Sequence, residues 1–327
     1  MVASNLTLMA AALILDALIG DPNFLYRRIP HPVAWMGTAI AVLDRLLNRD
    51  GFSPGVRIAL GGIGLFTLLI VFGAGAWALD SWLVHSWAGW IALALLASTL
   101  LAQRSLYDHV HAVAVPLASG NIANAREAVS RIVGRDVTML DESAVCRAAI
   151  ESLSENLSDG VVGPLFWGWL LGFPGLVLYK VINTADSMIG HRTPRHRQFG
   201  RIAARLDDAV NLMPARLTAL LIALATFSGN ALAVMIADAR KHRSPNAGWP
   251  EAAMAGVLDI RLSGPRSYHG SVVDEPWVND RGHMPDTADL ETALQIMVRI
   301  CAILLVITLL AAVYFILSGS PATTNST

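Results

Sequence analysis

The sequence predicts an all-α polytopic membrane protein with about four spanning helices, re-entrant or buried apolar hairpins, and cytoplasmic helical segments. Three observations predict it. Hydrophobic residues make up 54% of the chain and charged residues only 15%. Mean hydropathy is +0.51. The apolar residues also gather in runs of bilayer length. The formal net charge of -1 says nothing about partners, and no basic stripe with interleaved aromatics is present, so no nucleic-acid partner is expected. Cys146 and Cys301 lie far apart in sequence and have no paired ligand spacing, so neither a disulfide framework nor a thiolate metal site is implied.

The first span is read at 6–20. It carries Asp16, an acid that apolar surroundings tolerate only on a protein-facing side. The run has no basic n-region and is read as retained. Gly20-Asp21-Pro22 and His31-Pro32 force turns after it, because proline fixes its own φ and biases the preceding residue away from helix. Both a turn role and a catalytic role are open to His31. Spans at 58–79 and 87–103 follow, separated by a stretch without Lys or Arg, and a last span is read at 300–317.

Lys and Arg concentrate in 21–57, 104–160, 183–216 and 238–299, which the positive-inside rule assigns to the cytoplasm. Two apolar runs, 161–182 and 217–237, separate basic segments that belong on the same side. Pro164, Gly172, Pro174 and Gly175 interrupt the first run, and Ser228-Gly229-Asn230 breaks the second. Both are therefore read as bent hairpins, whose backbone is tolerated where protein buries it or where it lines a cavity.

Candidate chemistry clusters at the membrane borders. In 147–160, Glu151, Glu155 and Asp159 fall at i, i+4 and i+8, so one helix face carries all three beside Asn156. A solvated face would read the same way, but no Lys or Arg lies between Arg147 and Lys180 to pair with them. Asn183 and Asp186 share a face directly after an apolar run. In 201–216, Asp207, Asp208 and Asn211 form an Asp-Asp-x-x-Asn pattern able to hold Mg²⁺, with Arg205 alongside to hold phosphate. Pairing within the helix, Asp207 with Asn211 and Arg205 with Asp208, is the structural alternative. Arg131 and Arg135 flank Gly134 in "RIVGRD" and offer a second anion site. The chain has no Walker A, GxGxxG, HExxH or GxSxG motif.

The strings "DALIGDP", "HPVAWMG", "RIVGRD", "ESLSENLSDGVVGPLFW", "YKVINTADSMIG", "FGRIAARLDDAVNLMPAR", "SPNAGWPEAAMAG" and "LSGPRSYHG" occur in this order along nearly the whole chain. In them the sequence resembles the adenosylcobinamide-phosphate synthase family, CobD/CbiB, of cobalamin biosynthesis. The resemblance implies a multi-pass enzyme of the cytoplasmic (inner) membrane with a cytoplasmic active site. It would use ATP and Mg²⁺ to join a corrinoid, adenosylcobyric acid, to aminopropanol phosphate or a related amino alcohol through an amide. Membrane lipid and other membrane enzymes of the pathway are the implied partners.

A carboxylate must be activated as an acyl phosphate or adenylate before an amine attacks it. This chemistry suits Asp186, Asp207 and Asp208 to Mg²⁺, with Asn183 and Asn211 in support. It suits Lys180, Arg192 and Arg205 to phosphates, and Glu151 or Glu155 to the ammonium proton. A Mg²⁺-dependent membrane prenyl- or phosphotransferase, or a membrane sensor or transporter, stays open beside it. The topology has its own test. A cysteine introduced within 190–200 is expected to resist an impermeant thiol reagent in intact cells, and labelling from outside would reverse the hairpin reading.

Overall fold

In a computed structural model the chain is described over residues 2–134, 136–191, 193–268 and 271–319. Helices form most of it. In chain order they are α1 (Val2–Ile19), α2 (Asn23–Tyr26), α3 (Pro32–Leu47), α4 (Pro54–Leu83), α5 (Trp87–Ser98), α6 (Gln103–Ala118) and α7 (Ile122–Ser130). Then come α8 (Glu142–Asn156), a π-helical turn (Leu157–Val162), α9 (Gly163–Ala185), a second π-turn (Asp186–Gly190) and α10 (Arg201–Val210). After these follow α11 (Leu212–Thr226), α12 (Gly229–Asp238), a 3₁₀ turn (Ala239–Lys241), α13 (Gly248–Leu258) and α14 (Thr287–Gly319). Four short strands, β1 (Leu262–Ser263), β2 (Arg266–Tyr268), β3 (Ser271–Val273) and β4 (Trp277–Val278), pair antiparallel as β1 with β4 and β2 with β3.

Five of these helical stretches are long and apolar enough to cross a membrane: Val2–Ile19, Pro54–Leu83, Trp87–Ala118, Glu142–Gly190 and Thr287–Ser318. The bent pair Arg201–Val210 and Leu212–Thr226 would make six. The sequence reading expects about four. The added stretch is Glu142–Gly190, because 161–182 runs as helix through its prolines and breaks only at Gly172, where φ is 69°. A second break matches the sequence more closely. Phe227 takes the left-handed conformation and ends α11, and Ser228 then caps α12 by accepting a hydrogen bond from Ala231 N at 3.0 Å. The helix after Asn121 stops at Ser130. Outward faces are apolar where lipid would meet them, as at Phe66, Ile70, Leu310 and Leu317. Trp82 and Trp87 are 75% and 77% exposed at the ends of α4 and α5.

The chain divides into two interleaved compact units. The first comprises residues 1–101, 164–204 and 302–327, and the second 102–163 and 205–301. In the first, α1 packs on α5, and α3 and α5 pack on α4. Asparagine and methionine side chains of α1 fill space left by glycines of α9. A Cβ on Gly168 would lie 2.3 Å from Met9 Sδ, and one on Gly172 would lie 2.8 Å from Asn5 Oδ1. Trp169 Nε1 donates to Thr308 Oγ1 at 3.2 Å and ties α9 to α14. Two glycines let backbones touch. A Cβ on Gly61 would sit 1.9 Å from Phe199 O, and one on Gly200 would sit 1.6 Å from Ile189 O, so no other residue fits either place.

A polar lock fixes the 193–200 segment on α3 and α4. Arg195 donates to Asp44 Oδ2 from Nη2 at 2.8 Å and from Nε at 3.1 Å, and His196 Nε2 lies 3.4 Å from the same oxygen. Asn48 Nδ2 donates to Asp44 Oδ1 at 2.7 Å and to Arg195 O at 3.0 Å. Arg57 donates to Asn48 Oδ1 and also to Arg195 O. Burial alone would raise the Asp44 pKa, but the hydrogen bonds from Asn48, Arg195 and His196, with the Arg195 charge, hold it below the ordinary 3.8. A depressed carboxylate stabilises the fold fully above its unfolded value and stops doing so as pH falls through the folded one. Asp44→Ala is therefore expected to destabilise the detergent-purified protein by about 1–3 kcal/mol at pH 7. The difference from the parent should shrink below about pH 4. Thermal melts across that pH range check it, and a gap independent of pH would contradict the lock.

Candidate active site

The second unit carries its polar groups on α8. Asp141 caps this helix by accepting a hydrogen bond from Ala144 N at 2.8 Å, and residues 145–154 are buried all round. A helix so placed must direct its charges at protein partners. Along one face, at successive i, i+4 steps, Arg147 stacks its guanidinium 5.0 Å over the Trp277 ring, Glu151 accepts a hydrogen bond at Oε1 from Ser263 N at 2.7 Å, and Glu155 joins a cluster of ligating groups. Arg261 lies 5.6 Å from the same Trp277 ring. A Cβ on Gly264 would fall 2.5 Å from Trp277, so only glycine lets the chain pass there.

The cluster comprises Glu155, His242 and Glu251, with one ligand atom from each lying within 4.8 Å of the others. It is deep, with the His242 side chain 4% exposed and that of Glu251 0%. His242 ends the 3₁₀ turn, and its Nδ1 accepts from Ser244 N at 3.0 Å. A nitrogen that accepts carries no proton, so in the neutral ring Nε2 carries it, and Nε2 lies 3.7 Å from Glu251 Oε1. This tautomer suits a donor to a carboxylate and does not offer a nitrogen lone pair to a metal.

The loop that presents His242 is held at several points. Ser244 Oγ accepts from Asn246 N and Ala247 N, each at 3.2 Å, and buried Asn246 donates to Asp208 O at 2.8 Å. Arg216 lies 4.5 Å from the Trp249 ring centroid and donates to Leu212 O at 2.7 Å. A Cβ on Gly248 would sit 2.1 Å from Ala239 O, which brings the start of α13, and with it Glu251, against the turn that carries His242.

The sequence-predicted residues divide between the units. In the second, Glu151 and Glu155 share the α8 face as expected. Asp159 falls inside the π-turn, where i, i+4 spacing no longer describes the helix, so it does not continue their row. Asp207 and Asn211 are both buried and bonded to each other, Nδ2 to Oδ2 at 3.0 Å, which is the pairing named above as the alternative. Asp208 is half-buried and Arg205 exposed. Arg131 is exposed and donates to Glu127 at 2.8 Å.

In the first unit, half-buried Lys180 and Asn183 lead to Asp186, which opens the second π-turn. Its carboxylate folds over Gly190, where a Cβ would lie 1.8 Å from Oδ1. Arg135 and Arg192 lie outside the described residues. The same spacing, Asn-x-x-Asp-x-x-x-Gly, occurs at Asn156, Asp159 and Gly163 and again at Asn183, Asp186 and Gly190. Each copy contains one of the two π-turns. His31 repeats the His242 arrangement in the first unit. Its Nδ1 accepts from Val33 N at 3.2 Å as the cap of α3, and its Nε2 lies 3.2 Å from Asp21 Oδ1.

A family profile described as CobD/Cbib protein matches residues 9–297. A protein of Rhodobacter capsulatus named cobalamin biosynthesis protein CobD is 51% identical over 312 residues, covering 94% of this chain and 98% of its own. Proteins of the same name from Rhizobium meliloti (46%, covering 93% of this chain and 96% of theirs) and Brucella suis (48%, 89% and 91%) are similar over nearly the same extent. No solved structure matches the chain.

The Glu151 bond separates a structural from a chemical role for that acid. Glu151→Ala leaves the Ser263 amide buried without its acceptor and is expected to cost about 1–3 kcal/mol. Glu151→Gln keeps an acceptor oxygen and should lose less. Melting temperatures of the two variants in detergent check the order, and equal losses would contradict it.

Proposed function

Because the chain belongs to the CobD/CbiB family, we propose that it is an enzyme of cobalamin biosynthesis that forms an amide between adenosylcobyric acid and an amino alcohol phosphate, driven by ATP. The observation that carries the reading is the buried Glu155–His242–Glu251 cluster. Amide formation from an amine that is protonated at neutral pH needs a base at the point of attack, and a carboxylate of this cluster can take that proton. Glu155, the less buried of the two acids, takes the proton. His242 is a positioning residue: with Nδ1 occupied by the Ser244 amide, its Nε2–H is left to face Glu251 Oε1 across 3.7 Å.

Mg²⁺ with ATP would supply the charge neutralisation that turns the corrinoid carboxylate into an acyl phosphate or adenylate. The residues fit such an ion by their donor chemistry. Within the second unit Asp207, Asp208 and Asn211 are oxygen donors of the hard type that Mg²⁺ takes; within the first, Asn183 and Asp186 are, and Gly190 leaves a space that the Asp186 carboxylate occupies. The fixed His242 tautomer argues against counting that ring among the ligands. In this reading the cations that hold phosphate oxygens are Lys180 and Arg192 for the first unit and Arg205 for the second, each taken by itself. The amine nitrogen then attacks the activated carbonyl, phosphate or AMP leaves, and the ammonium proton passes to Glu155. The active site faces the cytoplasm at the inner membrane, where ATP is available and where other membrane enzymes of the pathway can pass on the corrinoid.

The detergent-purified protein with adenosylcobyric acid, ATP, Mg²⁺ and aminopropanol phosphate is expected to yield a product heavier by the amine less water. The nucleotide released, ADP or AMP, identifies the activated species. Glu155→Gln should lower kcat by about 10²–10⁴-fold. Asp186→Asn should abolish turnover while the protein remains folded and inserted. Absence of product from folded parent protein would sink the synthase reading, and near-parental turnover of either variant would remove that residue from the site.

A further inference from the structure

We propose that a cleft in the second unit, between α6, the 131–134 loop and the end of α8, binds the phosphorylated amine as a free phosphate monoester. This deepens the synthase reading and rests on it for the identity of the ligand. The cleft encloses about 470 Å³ and is lined by Ser105, His109, Arg131, Gly134, Ser152 and Asn156 among others. That volume lies within the range of about 300–1,000 Å³ usual for small-ligand sites.

Hydrogen bonding sets which atoms the cleft presents. His109 Nδ1 lies 2.6 Å from Ser105 O. A carbonyl oxygen only accepts, so Nδ1 carries a proton and Nε2 is the ring nitrogen left for a ligand. In the imidazolium form Nε2–H donates to a phosphate oxygen. Asn156 is fixed by the same logic. Its Nδ2 donates to Ser152 O at 2.8 Å and reaches Ser152 Oγ at 3.3 Å, so the amide oxygen must face the other way, as an acceptor suited to an ammonium group. The cleft wall is anchored, because Ser152 Oγ donates to Ile132 O at 3.0 Å and clamps the loop to α8. Arg131 supplies a guanidinium at the rim, and Gly134 has nothing within 4 Å of where a Cβ would stand, so backbone is open to a ligand there.

The cleft therefore offers the Arg131 guanidinium, which also donates to Glu127 at 2.8 Å, and the His109 ring for a phosphate, and an amide oxygen for an ammonium, on one anchored frame. A phosphate monoester presents three terminal oxygens to these groups where a phosphodiester headgroup presents two, which favours the free monoester over a lipid.

The test titrates the full chain in detergent with O-phosphoethanolamine and with inorganic phosphate by calorimetry. Parent protein should bind both. His109→Ala and Arg131→Ala, at exposed positions, should each weaken both ligands about tenfold or more. Asn156→Leu should weaken O-phosphoethanolamine to a similar degree and leave inorganic phosphate unchanged. Unchanged affinity in all three variants, with melting temperatures equal to the parent's, overturns the cleft even if the synthase assay succeeds. Variant-sensitive binding without amide product in that assay keeps the cleft and overturns the synthase reading instead. Displacement of O-phosphoethanolamine by phosphatidylethanolamine in nanodiscs would reassign the cleft to a lipid headgroup and overturn the proposal.

Discussion

A carboxylate removed from water must have its charge met by protein dipoles, and much of the second unit is arranged to meet that demand along α8. Leaving one such ion uncompensated costs several kcal/mol. Glu151 is answered by the Ser263 amide, and Ser263 adopts a φ of 62° to present it. Holding a non-glycine residue there costs on the order of 1 kcal/mol, which a charge-assisted hydrogen bond offsets. The two-residue ladder of β1 with β4 then places Trp277 beneath Arg147, one turn back along the helix. The irregular chain after α13 thus follows from the acids it has to cover, and Gly264 is the residue that lets it pass over the indole.

The fold class was legible because lipid imposes length and hydropathy on every span, and these are properties of contiguous residues. The limits of that legibility show at α14. Its last span reads plainly from 300 onward, but the helix begins at Thr287, in a polar stretch whose helical continuation leaves no hydropathy signal. The bend near Ser228 was visible from its turn residues. The break within α9 falls at Gly172, one of the residues that interrupt 161–182 in the sequence, while Pro164 in the first turn and Pro174 after the break are tolerated where they stand.

The site was legible only in its local half. Glu155 stood out because it lies in a membrane-length context without a cationic partner nearby in sequence. His242 and Glu251 did not, because the first reads as part of a basic linker and the second as an ordinary acid in the first turn of a small-residue helix. What joins them to Glu155 is tertiary packing across more than eighty residues. A usable signal did exist: Glu251 is the sole charged residue in "GWPEAAMAGVL". The repeated Asn-x-x-Asp-x-x-x-Gly spacing was also in plain view. Its meaning needed the structure, since a π-turn carries no composition of its own, and such turns persist mainly where function retains them.

The interleaving of the two units bears on how the protein is made. Residues 1–101 belong with 164–204 and 302–327, and the second unit is completed by 205–301. At roughly 5–20 residues per second, the first helices emerge from the ribosome some 10–40 s before their last partner is synthesised. Contacts such as Gly61 with Phe199 and Gly168 with Met9 wait only for 164–204, about 5–20 s, whereas those with the last segment, such as Trp169 with Thr308, stay unmade for the whole interval while α1 and α4 are kept in the bilayer. Insertion and assembly are therefore separated in time, and the membrane insertion machinery or surrounding lipid has to shelter a half-built unit for as long as translation of the remainder takes.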